Sequence, residues 1–221
     1  MIPFGQLASR ISGRLDTGEM LRRLYATDAS EYQELPAGVV FPESEEDLGE
    51  VIRFARRNRL GLIPRAAGTS LAGQCVGDGL VVDISKHFTR ILSVDKEARR
   101  VCVQPGVVRD ELNRFLAPRE MLFGPETSTA NRAMMGGMVG NNSCGSNSIV
   151  YGSTRDHLVS LKGFLSDGSE VTIEALGQQE FLAKCDGPEC LETQIYQGVR
   201  AMLSDPDNRG AITGNFRLAS I

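Results

Sequence analysis

An α+β fold is predicted by three observations in the chain. Residues 42–61, PESEEDLGEVIRFARRNRLG, carry apolar side chains at helical intervals. Two apolar runs of strand length, LIPRA at 62–66 and GLVVDIS at 79–85, follow it. Beyond them, RILSVDKEARRVCVQPG reads as a pair of short strands around a charged turn.

In chain order, residues 1–24 read as a charge-mixed helical segment running into YATDASEY. In the next helix Ser44 is placed to cap and Asp47 gives a capping-box-like spacing. Leu48, Val51, Ile52 and Ala55 form its apolar stripe, and Gly61 is expected to stop it. The strand pair is placed at Ile91–Val94 and Val101–Gln104. VVRDELNRFLAP predicts a helix with Val108, Leu112, Phe115 and Leu116 on one side. LVSLKGFLSDGSEVTI predicts a hairpin that turns at Asp167-Gly168.

Composition narrows the function classes. With 221 residues, 41% hydrophobic and 24% charged, the chain can bury a sizeable core. Its net charge of −4 and the lack of a Lys/Arg cluster argue against nucleic acid or an anionic membrane as the main partner. The apolar runs are too short to cross a bilayer and the N-terminus lacks a signal-peptide core, so a cytoplasmic location is expected. Five cysteines without a CxxC pair suggest reduced thiols rather than a disulfide framework. Cys185 and Cys190 supply too few ligands for a metal or iron–sulfur site, so no metal is assigned.

Two glycine-rich stretches stand out: PRAAGTSLAGQ at 64–74, and MMGGMVGNNSCGSNSIVYG at 134–152, which has five glycines and no charged side chain. Glycine lets another molecule approach the main chain closely, so such runs suit ligand binding, although a flexible linker has the same composition. Neither contains the Gly-Lys-Ser/Thr of a triphosphate loop, and neither has a G-x-G-x-x-G spacing. What remains is a pair of loops able to present several N–H groups to a diphosphate, with Thr69, Ser70, Asn141, Asn142 and Ser143 as neutral donors.

PRAAGTSLAGQ, VQPGV, MMGGMVGNNSCG and YGSTRDHL, in this order, resemble the FAD-binding domain of PCMH-type (vanillyl-alcohol oxidase superfamily) flavoproteins over about residues 25–175. The wording is most similar to the FAD-linked D-2-hydroxy acid dehydrogenases, which act on D-lactate, glycolate or D-2-hydroxyglutarate. The resemblance implies a PCMH-type domain of two α/β subdomains, about 25–90 and 91–221, after the 1–24 segment. It implies non-covalently bound FAD, since Thr69 stands where covalent members place a histidine. Arg65, Ala66, Ala67, Gly68, Thr69 and Ser70 match the first pyrophosphate loop. Gly136, Gly137, Asn141, Asn142 and Gly145 match the second segment, with Pro125, Glu126, Thr127 and Ser128 before it and Tyr151 and Gly152 after it. GAIT at 210–213 weakly resembles the G-x-I-T-like segment of such domains, which implies a last strand near the adenine.

The resemblance further implies hydride transfer from the substrate α-carbon to flavin N5. The catalytic acid and base are expected in a substrate domain that follows the FAD domain in such enzymes and is missing from this chain, so none is assigned. An isolated domain would then be inactive. The hydroxy acid reaches the flavin through that missing domain, and the electron acceptor is left open, an appended iron–sulfur module being one candidate. Three alternatives remain at this point: the NADPH-dependent flavin reductase of cell-wall precursor synthesis, an FAD-binding module without chemistry, and a regulator binding another diphosphate. Cys144 is read as a small turn residue, and His157 and His87, the only histidines, as structural.

Overall fold

The computed structural model describes residues 2–215. Two compact units divide between Leu158 and Val159.

The first unit opens with α1 (Phe4–Ala8), β1 (Arg14–Asp16) and α2 (Glu19–Leu24), then β2 (Gly38–Phe41), α3 (Glu45–Asn58), β3 (Leu62–Arg65) and β4 (Leu80–Asp83). The sheet order is β1-β2-β4-β3, with β2, β4 and β3 parallel and β1 an antiparallel edge. Every residue of β2 and β4 is buried, as a parallel strand covered on both faces requires. Val40, Leu80 and Val82 face Leu7 of α1 and Val51 and Phe54 of α3. Val39, Phe41 and Val81 face the other way, toward Leu21 and Tyr25.

The segment 1–24 is therefore not wholly helical, because its middle is drawn onto the sheet. The buried Asp47 carboxylate accepts the N–H groups of Ser12 and Gly13, each at 2.9 Å, and that of Glu43 at 2.9 Å. These charge-assisted bonds hold β1 against β2, a tertiary effect that local pattern does not carry.

Ser44 caps α3 as expected, accepting from Asp47 N–H at 3.1 Å. The helix is closed by Arg59 at φ 52°, not by Gly61. Gly61 instead lies beside Gly79, and it is position 79 that needs glycine: a Cβ there would lie 2.3 Å from the Gly61 carbonyl oxygen.

Next come β5 (Ile91–Asp95) and β6 (Arg100–Val103), an antiparallel pair, and α4 (Arg109–Leu116). Leu112 and Leu116 enter the adjoining core with Val107, Met121, Ala133, Met135 and Met138. Val107, rather than the expected Val108, is the buried member, since Val108 is the N-cap and α4 starts after it. The second glycine-rich stretch is not a bare linker, because it contains α5 (Met135–Gly140) and α6 (Ser148–Tyr151). Met135 and Met138 anchor α5 in that core.

The second unit holds β7 (Ser160–Phe164), β8 (Glu170–Glu174), α7 (Gln178–Cys185), α8 (Leu191–Ser204) and α9 (Pro206–Asn215). β7 and β8 form the predicted hairpin, with Gly168 at φ 85° in its turn. Helices α7 and α8 are joined by an edge-to-face contact of Phe181 and Tyr196, at 5.9 Å between centroids. An ion pair of Lys184 with Glu192 at 2.7 Å adds to it. GAIT is helical rather than a strand. Pro206 opens α9, and the Asp205 carboxylate accepts the N–H groups of Asp207 and Asn208, so local capping chemistry wins over a weak resemblance. The rest of the tail, from residue 216, lies outside the described residues.

Candidate cofactor site

The first loop leaves the sheet at Arg65, the last residue of β3. Arg65 Nη1 donates to the Thr27 carbonyl at 2.8 Å, and its guanidinium lies 5.0 Å from the centroid of the Tyr25 ring. Tyr25 in turn donates its O–H to Asp83 Oδ2 at 2.5 Å. Burial, with the Asp83 carboxylate beside it, pushes the Tyr25 phenol far above its ordinary pKa, so it keeps its proton. Gly68, at φ 63°, rests on the same guanidinium: a Cβ there would lie 2.5 Å from Arg65 Nη2. Arg65 thus acts as a strut beneath the loop.

With the strut below, the main chain of the loop is left available. Among the described residues, the N–H groups of Ala66, Ala67, Gly68 and Thr69 have no protein acceptor. The Ser70 hydroxyl is engaged inside the loop, accepting from Ala72 N–H at 3.1 Å and donating to Gln74 Oε1 at 2.7 Å. Asp28 braces the far end of the loop by accepting Cys75 N–H at 3.4 Å. Burial works against the Asp28 charge, but hydrogen bonds from Ser30 and Cys75 outweigh it and lower the pKa. Burial pushes the Cys75 thiol up.

In the second segment two adjacent glycines have different surroundings. Gly136 donates its N–H to the Pro105 carbonyl at 2.8 Å, and a Cβ on it would lie 2.5 Å from Pro105 Cβ. Gly137 is exposed and its N–H has no acceptor among the described residues. A Cβ on Gly137 would meet only Ala66 Cβ, at 3.4 Å. The fold itself requires glycine at 136 and would admit a side chain at 137.

The polar side chains of this segment are bonded within the protein. Asn141 Oδ1 accepts from Gln74 Nε2 at 2.9 Å, and Asn141 Nδ2 donates to Ser143 Oγ at 3.3 Å. Asn142, at φ 45°, accepts Arg155 N–H at 2.9 Å. Ser143, expected as a donor, is buried, and its carbonyl accepts the Thr154 hydroxyl at 2.7 Å. The side chains of Ser70, Asn141 and Ser143 therefore hold loop shape, while the Thr69 hydroxyl and Asn142 Nδ2 have no partner among the described residues and remain available beside the free backbone amides.

The flanking residues form one packed corner. The Pro125 carbonyl accepts from Arg109 Nε at 3.1 Å. Glu126 Oε1 accepts from Ser146 Oγ at 3.0 Å and Asn147 Nδ2 at 2.6 Å, and a Cβ on Gly145 would lie 2.5 Å from the Glu126 carbonyl oxygen. Thr127 places Oγ1 3.3 Å from Thr129 Oγ1, and Ser128 is exposed. Tyr151 lays its ring against Gly124, and its carbonyl takes a hydrogen bond from His157 Nε2 at 2.6 Å. Gly152, at φ 72°, turns the chain beside Asp156. His157 also meets Phe123 edge to face at 5.6 Å, the structural role read for it. Cys144 is exposed.

Both loops thus meet inside the first unit, through Ala66 and Gly137 and through Gln74 and Asn141. Tyr25, Gln74, Pro105 and Arg109 were absent from the sequence-derived site. Gln74 closes the motif PRAAGTSLAGQ and Pro105 lies in VQPGV, so both carried a signal. Tyr25 and Arg109 support the site from outside the four matched motifs.

This geometry is that of a known class of protein. The FAD binding domain family model matches residues 36–174, well over half of the chain. The chain belongs to that family. It is 36% identical over 184 residues to D-2-hydroxyglutarate dehydrogenase of Haemophilus influenzae, covering 82% of this chain and 18% of that one. To the enzyme of that name from Pseudomonas putida it is 40% identical over 166 residues, covering 74% and 16%. The chain therefore spans less than a fifth of the length of these relatives. Among solved structures, xylooligosaccharide oxidase from Myceliophthora thermophila matches with a TM-score of 0.67 at 20% identity, covering 79% of this chain and 37% of the other. The 6-hydroxy-D-nicotine oxidase from Arthrobacter nicotinovorans matches with a TM-score of 0.65 at 18% identity, covering 74% and 36%. These structures share the fold.

Proposed function

We propose that this chain is the FAD-holding part of a flavoenzyme that oxidises a D-2-hydroxy acid, with FAD bound non-covalently at the two joined loops. One observation carries this reading: unpaired main-chain N–H groups at Ala66–Thr69 and at Gly137 lie on loops that touch each other. The donor set fits a diphosphate, because preorganised amides solvate anionic oxygens without a counter-charge. The open space at Gly137 fits a molecule lying against the main chain.

When bound, FAD supplies the acceptor for a hydride equivalent from the α-carbon of the hydroxy acid. The chain's own part is to bind and orient. The N–H groups of Ala66, Ala67, Gly68, Thr69 and Gly137 would hold the phosphate oxygens. Arg65, locked between Tyr25 and Thr27, supports the first loop from beneath and adds positive charge without direct contact. Pro125, Glu126, Thr127, Ser128, Tyr151 and Gly152 form the neighbouring corner proposed to approach the flavin, which Arg109, Ser146 and Asn147 hold in place. Groups that bind the substrate carboxylate and take its hydroxyl proton are proposed to lie outside these 221 residues.

A cytoplasmic location is part of the proposal. Among the described residues no helix is long and apolar enough to cross a membrane. The substrate class rests on the identity to D-2-hydroxyglutarate dehydrogenases. Its test is turnover by the complete enzyme containing this domain, with a dye as electron acceptor. D-2-hydroxyglutarate, D-lactate or glycolate should support dye reduction, and L-2-hydroxyglutarate and L-lactate should not. Failure of all three, or equal rates with the L-acids, contradicts the assignment.

A further inference from the structure

We propose that Gln74 is a positioning residue whose amide sets the distance between the two phosphate loops. This rests on the FAD reading above. Gln74 is the only side chain with a hydrogen bond from the first loop to the second among the described residues, and its partner Asn141 is 67 positions away.

The bond belongs to a relay of hydrogen bonds that runs from Ser70 to Ser143, with the Ser70 hydroxyl also accepting Gln74 N–H at 3.4 Å. Ala72 N–H donates to Ser70 Oγ at 3.1 Å, and the Ser70 hydroxyl donates to Gln74 Oε1 at 2.7 Å. With its oxygen occupied, the Gln74 amide presents Nε2 to Asn141 Oδ1 at 2.9 Å. Asn141 then directs Nδ2 to Ser143 Oγ at 3.3 Å. Each amide has a partner at both ends, and flipping either one alone would set like groups against each other at the Gln74–Asn141 contact.

Each end of the relay leads to proposed ligand-binding amides. Ser70 directly follows the free N–H groups of Ala66–Thr69, and among the described residues the N–H groups of Ser70, Leu71 and Gly73 are without an acceptor too. Asn141 is the C-cap of α5, and its N–H donates to the Gly137 carbonyl at 3.0 Å. A shift of Asn141 therefore pulls on the residue whose N–H is the second donor, through the carbonyl of that same residue. The backbone of Gln74 is itself confined, because Gly73 at φ 71° turns tightly over the Tyr32 ring, where a Cβ would lie 2.6 Å from the ring edge. A diphosphate held by both loops depends on their separation, so a side chain that fixes it contributes to affinity without touching the ligand.

The test uses this 221-residue chain with Gln74→Ala, Asn141→Ala and the double variant. Both residues are exposed, so the variants should fold. FAD affinity is followed by fluorescence titration, and hydrogen–deuterium exchange of segments 66–74 and 137–145 is measured without FAD. Each single variant should weaken FAD binding about fivefold, the effect expected from losing the shared Gln74–Asn141 hydrogen bond that joins the loops. The double variant should be no weaker than the worse single one, since both remove the same link. Either single substitution should raise exchange in both segments. Independent effects, giving about 25-fold in the double variant, or raised exchange only in the mutated segment, would overturn the clamp. If the parent chain bound no FAD, the cofactor reading would fail while the exchange data still decided whether Gln74 couples the loops.

Discussion

Gly136 stands so close to Pro105 that a methyl group on it would lie 2.5 Å from Pro105 Cβ, while its neighbour Gly137 faces open space except for Ala66. Adjacent glycines thus answer to different constraints, one from packing and one from the proposed ligand. The contrast yields a paired prediction. Gly136→Ala should destabilise the fold by about 2 kcal/mol, as overpacking does, read as a lower denaturant midpoint. Gly137→Val should unfold at the parent's midpoint but lose FAD retention. Equal FAD occupancy in Gly137→Val and parent would contradict the role given to residue 137.

Asp47 ties the N-terminal segment to the sheet through the N–H groups of Ser12, Gly13 and Glu43. Asp47→Ala leaves these donors without their acceptor and should cost about 3 kcal/mol in urea unfolding. A loss below roughly 1 kcal/mol would mean that β1 is held by other contacts.

Asp28 links the first loop to the segment before it and has a lowered pKa. A carboxyl with a depressed folded-state pKa contributes stability above its unfolded value, and that contribution is lost as the pH falls through the folded-state value. The stabilisation should therefore be complete at neutral pH and decline below the ordinary value of 3.8. Urea unfolding of parent and Asp28→Asn should differ at pH 7 and converge as the pH is lowered past that point. A constant difference down to pH 3 would exclude Asp28 as the titrating group.

Cys144 lies inside the glycine-rich segment and is exposed. Cys144→Ala should keep FAD at parental occupancy, because no contact of the two loops passes through the thiol. Loss of all flavin absorbance in this variant would assign the sulfur a part in binding.

Where one local pattern dominated, the fold was legible from sequence. Helix α3, strands β3 and β4, the β5–β6 pair and the hairpin at Gly168 all carried their own periodicity and turn chemistry. β1 did not, since the Asp47 carboxylate that holds it lies more than thirty residues away. Helices α7 and α8 fall beyond the last motif and were passed over, although Phe181 and Tyr196 mark their contact. The glycine-rich loops were visible as a site, but the division of labour within them was not. Arg65 reads as a phosphate partner until Tyr25 and Thr27 are seen to hold it. Asn141 likewise reads as a ligand donor until Gln74 takes its oxygen and Ser143 its Nδ2, whereas Asn142 gives only its oxygen, to Arg155 N–H, and keeps Nδ2 free.

Reconstitution of this chain with FAD tests the central claim most directly. After removal of free cofactor, the folded protein should retain about one FAD per chain by absorbance, and denaturation should release all of it into the supernatant. A folded chain that retains no flavin would contradict the joined-loop site, and flavin that stays with the denatured polypeptide would contradict non-covalent binding.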